Sequence, residues 1–109
     1  LTIIYDSNDI TIEGDISIAW SEDIAKRFEA INFDVMTIDG HDFDAIDKAL
    51  TTSRNSNKPT LIIAKTAIAK GAATMEGSHH THGSPLGIDE IKASKQKAGF
   101  NSKETFIVS

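Results

Sequence analysis

The chain has no cysteine in its 109 residues. Disulfides, thiolate nucleophiles and cysteine-ligated metal centres are therefore excluded, and a reducing cytoplasm is the expected compartment. No apolar run approaches the roughly 20 residues of a membrane-spanning helix, so no membrane partner is expected. No basic stretch precedes an apolar one at the start, so no cleavable signal is visible. The chain also lacks an initiating Met and opens inside an apolar run, which suggests a natural N-terminus further upstream. Positive charge is in short supply. Eleven Lys and Arg face 16 Asp and Glu, a net charge of −5, and no basic stripe interleaves with aromatics, so nucleic acid is not an expected partner. What is present, 39% hydrophobic and 25% charged residues, suits a soluble globular chain of one-domain size.

The stretch Leu1-Thr-Ile-Ile-Tyr-Asp-Ser-Asn8 reads as a strand that stops at a cluster of oxygen-bearing side chains. A turn-rich segment follows, with Gly14 as a positive-φ residue and Ile10–Ile12 too short to assign. Ser21 reads as the N-cap of a helix over 21–31, with Ile24, Phe28 and Ile31 on one buried face. A second strand covers Phe33–Ile38. Asp42 then caps a helix over about 42–54, with Phe43, Ile46 and Leu50 as its apolar stripe. Lys58-Pro59 breaks the chain before Thr60–Ala64, a continuous apolar strand of the buried parallel type. From Thr66 to Gly87 the glycines and Pro85 predict a long loop, and loops beyond about 12–15 residues are usually functional. A last helix is predicted over about 88–98, acidic at its start, basic at its end, with Gly99 beyond it. A short strand over Thr105–Val108 completes the reading.

Strand–helix–strand–helix–strand order implies right-handed crossovers and a parallel sheet. With the strands in sequence order, both crossover helices would lie on one face. Yet Ile62 and Ala64 point one way and Leu61 and Ile63 the other, so both faces of the third strand are apolar. The chain is therefore expected to be a piece of a larger α/β domain whose other parts cover the second face.

A parallel sheet brings Asn8, Lys65 and the segment after Asp39 to one carboxyl edge, where α/β proteins hold ligands. Asn8, with a side-chain amide oxygen and a backbone carbonyl two residues on, suits Mg²⁺, which takes hard oxygen ligands. The alternative is a plain turn whose side chains bond the local backbone. The segment Gly77-Ser-His-His-Thr-His-Gly-Ser-Pro-Leu-Gly87 admits three readings: a metal site from His79 and His82, a tag-like sequence, or anion recognition by imidazole N–H beside glycine backbone. Lys65 could meet a phosphate or remain solvated, and His41 reads as a helix-start residue.

In order, Tyr5-Asp-Ser-Asn-Asp-Ile-Thr-Ile-Glu-Gly14, Trp20, Ala25-Lys-Arg-Phe-Glu-Ala30, Asp39-Gly-His-Asp42, Lys58-Pro59, Lys65-Thr66 and His79-His-Thr-His-Gly-Ser-Pro-Leu-Gly87 resemble transketolases over nearly the whole chain. The resemblance implies a partial parallel-sheet, thiamine diphosphate-binding α/β fold with helices on the sheet faces. Residues 1–109 would be a single incomplete domain, the C-terminal portion of the diphosphate-binding domain. It further implies thiamine diphosphate anchored through Mg²⁺ (or Ca²⁺), with Asn8 and the Ile10 carbonyl as metal ligands. Asn8, Lys65, Ile12 and His82 would contact the cofactor, and His82 would be catalytic. The implied reaction is ketol transfer between sugar phosphates in the pentose phosphate pathway, by a cytoplasmic homodimer. The family's other metal ligand, in a Gly-Asp-Gly motif, and its catalytic glutamate are not in this chain, so the 109 residues alone are expected to be inactive.

Two positions depart from the family pattern. Asp9 stands where glycine is common and adds negative charge beside a diphosphate site. Ala69 replaces one glycine of a glycine-rich run. Rival readings are a related thiamine enzyme such as dihydroxyacetone synthase or deoxyxylulose phosphate synthase, a phospho-acceptor signalling domain, and a non-catalytic binding or assembly fragment. The Pro-Leu-Gly histidine segment favours transketolase over deoxyxylulose phosphate synthase. The signalling domain leaves that segment unexplained.

Overall fold

The most apolar strand of the sequence is also the most enclosed. A computed structural model, which describes residues 1–106, contains β1 (Thr2–Ser7), β2 (Ile10–Thr11), β3 (Gly14–Asp15), α1 (Ile24–Ala30), β4 (Asp34–Asp39), α2 (Phe43–Asn55), β5 (Thr60–Lys65) and α3 (Ile88–Lys97). Strand β5 runs between β1 and β4, parallel to both. A central strand has neighbours on two edges and layers on two faces, which is why Thr60 to Ala64 are all buried. Among the described residues no helix is long and apolar enough to cross a membrane.

The order β1-β5-β4 corrects the sequence-order arrangement. The connection through α1 steps across the sheet in one direction, and the connection through α2 steps back. Two right-handed crossovers running in opposite directions put their helices on opposite faces. Both helices pack against β4. Ile46 and Leu50 of α2 line an apolar groove with Ile4, Ile38, Ile62 and Ala64. At the foot of α1, Phe28 meets Phe33 edge to face, with centroids 5.1 Å apart.

Local signals set the helix ends, with some shifts. Asp23, not Ser21, caps α1, its carboxylate accepting from the Lys26 N–H at 3.0 Å. Both residue types cap well, so the bond actually made decides. Asp42 caps α2 as expected, accepting from Asp44 N–H at 2.9 Å and Ala45 N–H at 3.2 Å. The apolar stripes are shorter than expected. Ile24, Phe28, Ile46 and Leu50 are half-buried, whereas Ile31 is 61% and Phe43 85% exposed. Those two stand at helix ends, Ile31 as the C-cap of α1 and Phe43 as the first residue of α2, where the stripe runs past the sheet it packs on.

The chain divides into two compact units. Leu1–Asp9 and Ala19–Thr66 form the sheet unit. Ile10–Ile18 and the described residues from Ala67 onward form the second. Within the second unit, β2 and β3 make a small antiparallel hairpin, with Gly14 at φ +132° as anticipated. The predicted long loop is present, interrupted by one 3₁₀ turn over His79–Thr81. Helix α3 ends at Ala98 and Gly99 (φ +79°), and Phe100 N–H returns to the Lys95 carbonyl at 2.8 Å. Of the predicted terminal strand, Thr105 and Phe106 lie in a bend, and the remainder lies outside the described residues.

Candidate functional site

The three strands of the sheet unit end level with one another. Ser7 pairs with Lys65, and Lys65 with Asp39, so all three strand ends share one carboxyl edge. Asn8 follows Ser7 directly and is half-buried. The Lys65 ammonium crosses from β5 to the end of β1. It donates to Ser7 Oγ at 2.9 Å and to Asp9 Oδ1 and Oδ2 at 3.2 and 3.4 Å. Ser7 Oγ in turn donates to Asp9 Oδ1 at 3.4 Å. The bonds thus bring Lys65 to the two residues that flank Asn8. Asp9 sits in the left-handed region at φ +59°, a conformation glycine adopts freely and Asp tolerates. Beside this cluster the Thr66 hydroxyl donates to the Asp6 carboxylate, and Gly40 N–H donates to the Lys65 carbonyl at 2.7 Å. His41 leads into α2, its N–H bonded to Asp39 Oδ1 at 2.8 Å.

The second unit holds the other expected residues. Ile10 opens β2 and is half-buried, and Ile12 is 65% exposed at the hairpin turn. Ser78 organises the histidine segment: its Oγ accepts from His80 N–H at 3.3 Å, and its carbonyl accepts from Thr81 Oγ1 at 2.7 Å. His82 closes the 3₁₀ turn, its N–H bonded to the His79 carbonyl at 3.0 Å, and is itself exposed. The rings of His79 and His80 stack, tilted, with centroids 4.1 Å apart.

Upstream of the histidines, one face of α3 grips the loop. Glu90 accepts from Thr74 N–H at 2.7 Å, Thr74 Oγ1 at 2.8 Å and Met75 N–H at 3.1 Å. Ser94 Oγ accepts from Ala73 N–H at 3.0 Å, and Lys97 Nζ donates to the Ala72 carbonyl at 3.0 Å. Positions i, i+4 and i+7 of a helix share a face, so three side chains bind four consecutive backbone units. The bonds from Thr74 hold the Glu90 carboxyl below its ordinary value.

Among the described residues, no three His, Cys, Asp or Glu side chains gather as a metal site. At the strand edge, the Asn8 side chain carries a neutral amide oxygen. Such an oxygen suits Mg²⁺ or Ca²⁺ when phosphate oxygens complete the coordination. The Lys65 side chain is 52% exposed, so its ammonium remains accessible to an anion. Within the sheet unit, the Asn8 amide oxygen and the Lys65 ammonium are donor types that a metal–diphosphate group can use. Two linkages were not anticipated from the sequence: Lys65 with Asp9, 56 positions apart, and Glu90 with Thr74, 16 apart. Only the spacing of Glu90, Ser94 and Lys97 on one helix face hinted at the second.

Comparison with known proteins agrees with this architecture. The family described as transketolase, thiamine diphosphate binding domain, matches residues 1–109. A transketolase of Sinorhizobium medicae is 43% identical over 98% of this chain, which spans 15% of that protein. A crystal structure of Campylobacter jejuni transketolase is 51% identical, with a TM-score of 0.96 over all of this chain and 17% of its own. A Pichia stipitis transketolase in complex with sedoheptulose-7-phosphate is 36% identical, with a TM-score of 0.92 over 100% of this chain and 16% of its own. The chain therefore spans a small part of the length of these relatives, and it belongs to the transketolase family, within the thiamine diphosphate binding domain.

Proposed function

We propose that this chain is part of a transketolase that moves a two-carbon ketol unit between sugar phosphates, using thiamine diphosphate and Mg²⁺ (or Ca²⁺). The observation that carries this reading is the Lys65 side chain reaching Ser7 and Asp9, on either side of Asn8, at the carboxyl edge of a parallel sheet. In this role the Asn8 amide oxygen and the Ile10 carbonyl hold the ion, and Lys65 attracts the diphosphate. Ile12 supplies an apolar wall. The His82 imidazole donates a hydrogen bond to the cofactor or to a donor-sugar oxygen, and is the catalytic residue of this chain. Bound thiamine diphosphate supplies the carbanion chemistry, while these residues supply orientation and charge.

The 109 residues serve as the C-terminal portion of one incomplete diphosphate-binding domain. The rest of the protein provides the remaining metal carboxylate and the glutamate that activates the cofactor. The whole works as a cytoplasmic homodimer in the pentose phosphate pathway. The complex of the Pichia stipitis relative with sedoheptulose-7-phosphate supports a sugar phosphate as substrate. The test is a cofactor titration and steady-state kinetics on the full-length protein. Asn8→Ala should weaken Mg²⁺-dependent cofactor binding by at least about tenfold. His82→Ala should lower turnover of ketose phosphates. Unchanged cofactor affinity in the first variant refutes the metal assignment. Normal turnover in the second, with loss in His79→Ala, moves the catalytic role to His79. The isolated chain should transfer no ketol unit.

A further inference from the structure

Asp9 does more than fill a turn. Its backbone is at φ +59°, where glycine costs nothing and any side chain must be tolerated. The side chain it carries is anionic, at an edge read above as a diphosphate site, and its carboxylate is placed on the Lys65 ammonium at 3.2 and 3.4 Å. Ser7 Oγ, at 2.9 Å from Nζ and 3.4 Å from Asp9 Oδ1, closes a three-membered cluster. With glycine at this position Lys65 would keep only the hydroxyl. The pair is 52% and 57% exposed, so solvent screens it and it is a weak pair. It is strong enough to hold Lys65 in place and weak enough for a diphosphate to displace.

We propose that Asp9 tunes the charge of the diphosphate subsite by holding Lys65 and competing with the cofactor's phosphate oxygens for its ammonium. The inference rests on the assignment of Lys65 to the diphosphate made above. Its consequence is a lower and less salt-dependent cofactor affinity than a glycine at this position would give, because the carboxylate already neutralises the cation an anion would seek.

The experiment is an equilibrium titration of the cofactor-free, full-length protein with thiamine diphosphate at saturating Mg²⁺, at low and high salt, followed by calorimetry. Asp9→Asn and Asp9→Gly should each tighten binding by about two- to five-fold at low salt, less at high salt. In the background of Lys65→Met the same Asp9 changes should have no effect. Equal or weaker binding in the Asp9 variants overturns the proposal. So does a gain that persists with Lys65→Met, since Asp9 would then act on the diphosphate directly. Asn8→Ala separates the two levels. If it weakens binding while the Asp9 variants leave it unchanged, only this inference fails. If wild-type protein does not bind the cofactor at all, the functional reading fails with it.

Discussion

Gly40 gives the sharpest test of how the carboxyl edge is built. It follows β4, and a methyl group there would stand 2.6 Å from Thr66 Cγ2, with the Ala64 Cβ and the Lys65 carbonyl oxygen each at 3.1 Å. The first contact is about 1 Å short of ordinary van der Waals separation, and the other two need only small shifts. Thr66 can clear the methyl by rotating, but its hydroxyl donates to Asp6, so rotation gives up that bond. Moving the strand end instead strains the bond from Gly40 N–H to the Lys65 carbonyl at 2.7 Å. Overpacking of this kind costs about 1–3 kcal/mol. Replacing Gly by Ala also restricts the unfolded chain, which returns about 0.4–1 kcal/mol. The clash wins, and Gly40→Ala should destabilise by about 1–2 kcal/mol.

Thr66→Ser identifies the contact responsible, because it removes Cγ2 and keeps the hydroxyl on Asp6. In that background Gly40→Ala should cost at least about 1 kcal/mol less than in the parent. Urea unfolding of the four proteins, followed by circular dichroism, measures the cycle. An equal cost in both backgrounds would refute the assignment of the clash to Thr66.

Two further outcomes follow from the second unit. Ala69 has a left-handed backbone at φ +53°, which costs an L-residue about 1–2 kcal/mol, against about 0.4–1 kcal/mol of added unfolded-state entropy for glycine. Ala69→Gly should therefore raise the urea midpoint slightly, and a lowered midpoint would show that the turn does not need that conformation. Glu90, its carboxyl held down by Thr74 and Met75, contributes stability that is complete above its ordinary value of 4.5 and is lost as pH falls through its lower folded value. Carbon NMR should find its titration midpoint below 4.5, and Glu90→Gln should remove the pH dependence of protection at the Thr74 and Met75 amides over that window; a midpoint at or above 4.5 would mean the clamp does not form.

The proposed cofactor-site assignments come only from the resemblance, since Asp6-Ser-Asn8 on its own also reads as a turn. The structure adds that Asp9 and Ala69, the two positions read from the resemblance as replacing glycine, both have left-handed backbone. A departure noted from sequence thereby becomes a physical statement about conformation and, at Asp9, about charge. Neither the conformation nor the partner could be seen in the linear order, because a positive φ leaves no pattern once glycine is gone.

Sequence by itself located the three strands of the parallel sheet and the three α-helices. Five successive buried residues from Thr60 to Ala64 required a strand covered on both faces. Asp42 set the start of α2 and Gly99 the end of α3, since caps are local bonds between near neighbours. The glycines between Thr66 and Gly87 marked the loop. Tertiary structure alone decided the strand order, because a right-handed crossover reaches a neighbouring or a next-but-one position equally well. With β5 in the centre, right-handed crossovers through α1 and α2 run in opposite directions and so call for opposite faces. Tertiary structure also decided that Lys65 would lie beside Asp9, since strand register, unlike a helical repeat, joins residues at separations that the sequence does not encode locally.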